Sequence, residues 1–94
     1  MIVNFRDRET ERLWFGQRSR RIPPWILASA MRRLRQLDEV AVPQELAVFR
    51  GNRLEALSGD RAGQHSIRVN DQWRICFRWT ERGAEDVEIV DYHS

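Results

Sequence analysis

Residues 72–79 read QWRICFRW, and in this run Trp73, Ile75, Phe77 and Trp79 fall at every second position. A two-residue period places all four on one face of a β-strand and turns the intervening Arg74, Cys76 and Arg78 to the other. The apolar face has to be buried. The opposite face then presents two guanidinium groups from a strand that also holds the core, and function is expected there.

Just upstream, residues 64–69 (QHSIRV) alternate in the same way, with Ile67 and Val69 inward and Ser66 and Arg68 outward. Asn70 and Asp71 tolerate positive φ and are expected to make a tight hairpin turn between the two strands. Further back, Leu54 and Leu57 open a short strand and residues 58–63 (SGDRAG) make a polar turn. Downstream, a turn over residues 81–84 containing Gly83 leads to Val87, Ile89 and the run VDYH at 90–93. Together these segments describe a meander of antiparallel hairpins.

Toward the N-terminus the period changes to 3.6. After Pro23 and Pro24, the residues Leu27, Ala30, Met31, Leu34 and Leu37 mark an amphipathic helix of about four turns. Arg32, Arg33 and Arg35 are expected on its outer side, either solvated or facing an acidic partner or rRNA. Asp7 suits the N-cap of a shorter helix that ends near Phe15, with Gly16 as its stop. Residues 1–5 (MIVNF) read as an edge strand, residues 17–21 (QRSRR) as a mobile, solvated loop or a phosphate-seeking one, and residues 38–51 as a connector with a helical turn after Pro43. The economical architecture is α+β, with two N-terminal helices packed on one face of a mainly antiparallel sheet of four to five strands and the other face partly open.

Ninety-four residues make one domain, 1–94, with a single core. Its net stability is expected at about 5 to 14 kcal/mol. The lone Cys76 cannot close an internal disulfide, and no CxxC or Cys/His cluster offers a metal site, so a reducing compartment and a metal-free fold are expected. No apolar run approaches the roughly 20 residues of a membrane span, and the first residues lack the apolar stretch of a signal peptide. A soluble, cytoplasmic protein is the resulting expectation.

All sixteen basic residues are Arg, which suits bidentate contact with phosphates or carboxylates, although genomic base composition produces the same bias. Residues 1–37 hold nine Arg against three acids, a net charge of +6, and residues 38–94 hold seven Arg against eleven acids, a net charge of −4. Parity brings Arg68, Arg74 and Arg78 onto one sheet face. Guanidinium groups so placed repel one another unless an anion, most naturally phosphate, sits among them, or unless Glu55 and Glu88 pair with them across the strands. Asp91, Tyr92 and His93 place a carboxylate, a phenol and an imidazole in three consecutive residues, the equipment for metal-free RNA cleavage by the 2′-hydroxyl. His65 reads as a strand residue at a packing boundary.

The run from residue 52 to 93, NRLEALSGDRAGQHSIRVNDQWRICFRW followed by VEIVDYH, resembles the HigB branch of the RelE/ParE toxin superfamily, and closely its GraT-type members. The resemblance implies a RelE/ParE-like fold and a type II toxin that inhibits translation by ribosome-dependent cleavage of mRNA, metal-independent and without a cofactor. The implied partners are a helix-turn-helix, HigA-like antitoxin, in a hetero-oligomer built on an antitoxin dimer, and the 70S ribosome with its mRNA.

Carried over residue by residue, the resemblance makes His93 the proton donor or acceptor, with Asp91 orienting it or sharing the task. Tyr92 positions the scissile nucleotide and Arg74 neutralises charge developing on the phosphate. Apart from the resemblance, Arg61, Arg68 and Arg78 are expected to bind RNA. Where some HigB toxins carry a histidine in the first sheet strand this chain has Glu55, and where they carry a lysine before the following turn it has Ser58. A carboxylate can act as a base but starts with the wrong charge beside RNA, so a mild nuclease is implied. A non-enzymatic ParE-like gyrase inhibitor, or an antitoxin- or RNA-binding module with a weakened site, stays open as an alternative.

Overall fold

The computed structural model describes residues 1–92. Helix α1 (Arg8–Trp14) and helix α2 (Leu27–Glu39) precede four strands, β1 (Glu55–Ala56), β2 (Gln64–Arg68), β3 (Trp73–Thr80) and β4 (Gly83–Asp91). The sheet order is β1-β2-β3-β4, all antiparallel, so the meander and the α+β class hold. Short 3₁₀ turns at Pro24–Ile26, Pro43–Val48 and Gly59–Arg61 fill the connections.

The period-two reading of β3 is borne out on its apolar side. Ile75 and Phe77 are fully buried and Trp73 nearly so. They meet Leu34, Leu37 and Ala30 of α2, Leu13 of α1, and Ile67 and Ile89 from the flanking strands in one core. α2 therefore forms because its apolar stripe has a sheet to cover, and α1 because Asp7 caps it: the Asp7 carboxylate accepts from the Thr10 N–H at 3.2 Å.

β4 would be an exposed edge, but the chain's first residues cover it. Ile2 and Phe5 pair with Ala84 and Val87 in parallel, and the Val3 N–H donates to the Ala84 carbonyl at 2.7 Å. Higher up, the Ile89 N–H donates to the buried Thr10 Oγ1 at 3.0 Å and Arg21 donates to the Ile89 carbonyl at 2.7 Å. The close fit requires Gly83, since a Cβ there would stand 2.3 Å from the Met1 carbonyl oxygen. Midway along, β4 carries an extra residue against β3 between Cys76 and Arg78, and Asp86 takes the left-handed conformation, φ 53, that this bulge demands.

Three local expectations are corrected. The β2–β3 hairpin does not use positive φ at Asn70 or Asp71; positive φ among the described non-glycine residues is confined to Arg53 and Asp86. Instead the Asn70 side chain turns the chain by accepting from the Gln72 and Trp73 N–H groups at 2.8 and 2.7 Å. Residues 17–21 are not a solvated loop along their whole length: Glu9 accepts from the Ser19 hydroxyl and the Arg20 N–H, and Arg21 pairs with Asp7 at 2.6 Å. Arg33 is turned inward, 7% exposed, rather than outward.

The bonds from the Arg20 N–H and the Ser19 hydroxyl hold the Glu9 carboxyl below the usual carboxylate range. A lowered carboxyl contributes stability that is present above its unfolded pKa and is lost as pH falls through its folded pKa. The Arg20 amide resonance should therefore titrate with a midpoint below that of glutamate in an unfolded peptide; a midpoint at or above that value would overturn the clamp.

Candidate functional site

The sheet face opposite the helices is less open than the alternation suggests. Ser66 and Cys76 are fully buried there, and Gln64 and Glu88 nearly so. Arg61, from the turn after β1, reaches onto this face and donates to Glu88 Oε1 at 2.6 Å and to Gln64 Oε1 at 3.1 Å. Glu88 also draws in Arg6 at 3.7 Å. The hydrogen bond that Arg61 donates to Glu88 raises the pKa of its guanidinium against the opposing effect of burial, with Cys76, Glu88 and Tyr92 adding to the rise. Burial pushes the Cys76 thiol up, against the nearby Arg61 cation, so it is poorly suited to act as a nucleophile.

Beside this closed centre stands Arg74. Its Nε donates to Ser66 Oγ at 2.7 Å and its Nη2 to the Arg53 carbonyl at 2.8 Å. Only 12% of its side chain is exposed, and Glu55 Oε2 lies 3.8 Å from Nη2. The guanidinium is thus oriented by neutral acceptors, and its carboxylate neighbour is loose and 58% exposed. A phosphate oxygen can displace such a partner at little cost.

The other predicted arginines do not converge on Arg74. Arg68 pairs with Asp71 at the hairpin, and Arg78 with Asp86 at 3.9 Å. Arg78 stands four residues along β3, about 13 Å away at 3.3 Å per residue. The expected repulsion among sheet arginines is relieved by separate carboxylates. Glu55 is among them, but Glu88 serves Arg61 and Arg6 instead.

Asp91 pairs with Trp73 in the strand register, and Gln72 Nε2 donates to its Oδ2 at 3.0 Å. It therefore leaves β4 on the Trp73 side, whereas Tyr92, anchored by its N–H to the Gln72 carbonyl at 2.7 Å, alternates toward the Arg74 side. His93, expected to move the proton, lies outside the described residues. His65 stacks on Phe77 with ring centroids 5.9 Å apart, at the core boundary as expected.

Sequence reasoning passed over Ser66, the acceptor that aims Arg74, and Arg33. A signal for Arg33 was present, because it falls three residues after Ala30 and four before Leu37, on the apolar stripe of α2. Among the described residues no group of three or more His, Cys, Asp or Glu is placed to hold a metal, and no helix is long and apolar enough to cross a membrane.

A small α+β fold with helices on one sheet face and an oriented arginine on the other is consistent with a RelE-like toxin. Residues 3–93 match the family described as RelE-like toxin of type II toxin-antitoxin system HigB. The chain is also similar to Toxin HigB-1 of Vibrio cholerae serotype O1, 34% identical over 82 residues that cover 86% of each chain. The protein belongs to the HigB-like toxin family, and a type II toxin has a cognate antitoxin as partner.

Proposed function

We propose that this toxin, a single domain over residues 1–94, is a ribosome-dependent endoribonuclease that cleaves mRNA by attack of the 2′-hydroxyl on the adjacent phosphate. Family membership supports this reading, and the observation that carries it is the fixed guanidinium of Arg74, held by Ser66 and Arg53 with a displaceable Glu55. Arg74 neutralises charge developing on the phosphate, Tyr92 positions the scissile nucleotide, and His93 moves the proton with Asp91 in support. Arg61, Arg68 and Arg78 contribute to the RNA-facing charge. The partners in this reading are the 70S ribosome with its mRNA and a helix-turn-helix, HigA-like antitoxin.

Mapping 5′ ends of cellular mRNAs after induction tests it: new ends appear within codons of translated messages and vanish for His93→Ala. Growth arrest without new ends would favour a non-enzymatic, ParE-like binding toxin.

The Arg74–Glu55 pair supports a restraining role for Glu55. Glu55→Ala is expected to leave cleavage unchanged or slightly higher, and Glu55→His to raise it, because either change removes the anion beside Arg74. The measurement is mRNA cleavage at matched expression, and a loss comparable to that of His93→Ala would make Glu55 the general base.

A further inference from the structure

Arg33 has no role in the chemistry described above, and its surroundings are unusual for a cation. It is 7% exposed. Its Nη1 donates to Ser29 Oγ at 2.6 Å and to the Ser29 carbonyl at 3.4 Å. Its Nε is buried without a partner, and among the described residues no carboxylate lies within ion-pair distance of it. Burial, with the Arg32 and Arg68 cations beside it, holds the guanidinium below its ordinary range. Arg68 is itself paired with Asp71, but Arg33 has no counter-ion of its own among the described residues, and a buried charge without one is costly unless something else compensates it.

The residues next to it connect this cation to the candidate site. Gly51, which the positive φ of 86 favours, lies against this cation: a Cβ there would stand 3.4 Å from Arg33 Nη2. The next residue, Asn52, accepts from the Arg68 N–H at 2.5 Å. The one after, Arg53, accepts from Arg74 Nη2 at 2.8 Å. Gly51 and Arg53, two residues apart and about 7 Å along the chain, thus abut the guanidinium groups of Arg33 and Arg74, with Asn52 between them held by the Arg68 backbone, and an RNA strand whose scissile phosphate lies at Arg74 carries its neighbouring phosphates a short step away.

We propose that Arg33, with Arg68 beside it, forms a second anion subsite that takes a non-scissile backbone phosphate of the mRNA held at Arg74. This rests on the nuclease reading and deepens it. The ligand chemistry is a phosphate oxyanion, for which free phosphate is the other source. Arg33 is a binding group here; it touches no reacting atom.

The test measures binding of purified toxin to 70S ribosomes, either empty or programmed with an mRNA carrying 2′-O-methyl groups that block cleavage, over a range of salt. Losing one phosphate contact to a single strand makes the log–log salt dependence shallower by about 0.7. Arg33→Met should show that change on programmed ribosomes and not on empty ones, with a melting temperature unchanged or raised because the unpaired buried cation is gone. Arg74→Met, measured alongside, should also give a shallower slope.

If Arg74→Met changes the slope and Arg33→Met does not, the subsite is wrong and the nuclease reading stands. If wild type fails to bind programmed ribosomes, both fall. An equal change on empty ribosomes would place Arg33 on rRNA and overturn the mRNA assignment. So would inorganic phosphate raising the melting temperature of wild type but not of Arg33→Met, with the ribosome slope unaltered. Should Arg33→Met not fold, Arg33→Gln, which keeps hydrogen-bonding groups and drops the charge, supplies the same reading: a shallower slope on programmed ribosomes alone supports the subsite and an unchanged slope overturns it.

Discussion

Phe77→Ala is expected to cost about 3 to 5 kcal/mol, a large part of the stability a 94-residue domain has. The ring is fully buried in the middle of β3, packed within the core that α2 covers and stacked with His65, its cross-strand partner. It also stands opposite the extra residue of β4, where the sheet ladder between Cys76 and Arg78 is interrupted, so fewer backbone bonds hold the strands together at that level. Truncation leaves a cavity that two helices and a bulged strand cannot close. Thermal or denaturant unfolding of purified protein checks it, and a variant melting within a degree or two of wild type would remove Phe77 from the core.

Arg74→Met is expected to lower mRNA cleavage by about 10² to 10³-fold, the usual effect of removing one donor aimed at a developing oxyanion. Methionine keeps much of the aliphatic stem but deserts Ser66 Oγ and the Arg53 carbonyl. A stability loss of about 1 to 3 kcal/mol from the stranded acceptors is expected as well. Antitoxin binding therefore has to be measured beside cleavage, since a folded variant retains it. Arg74→Lys should not restore the activity, because a single ammonium cannot reach both acceptors and still offer a fork to phosphate. Cleavage near the wild-type rate in a folded Arg74→Met would take Arg74 out of the reaction.

The strands and helices were readable because their periods are local. Ile75 and Phe77 alternate with Arg74 and Arg78, and Leu27 to Leu37 repeat at helical spacing, so each element declares its buried side within a few residues. What could not be read depends on who arrives from elsewhere. Cys76 alternates to the outer face, yet it is fully buried because the turn bearing Arg61 lies over that face. The basic segment 17–21 looked solvated because its partners, Glu9 and Asp7, sit across α1 and not beside it in sequence. The candidate site divides in the same way. Arg74 was legible as an outward strand residue, whereas the fixing of its guanidinium by Arg53 depends on a backbone turn at φ 44 that no composition rule announces.

The cover that the first residues give to β4 also constrains how the molecule comes into being. Ile2 waits for Ala84, Phe5 for Val87, and Thr10 for Ile89, so contacts at the start of the chain span nearly its whole length, a topology that folds slowly. Synthesis delivers residues 1–37, with their net charge of +6, long before Glu88, the carboxylate that pairs with Arg6 and Arg61. A growing chain is therefore a basic polypeptide without a sheet edge to close upon, emerging beside the polyanionic rRNA of its own ribosome. Its docked N-terminus is reached only once the ninth decade of residues has been added, and any stalled product that ends before β4 lacks the partner on which that N-terminus settles.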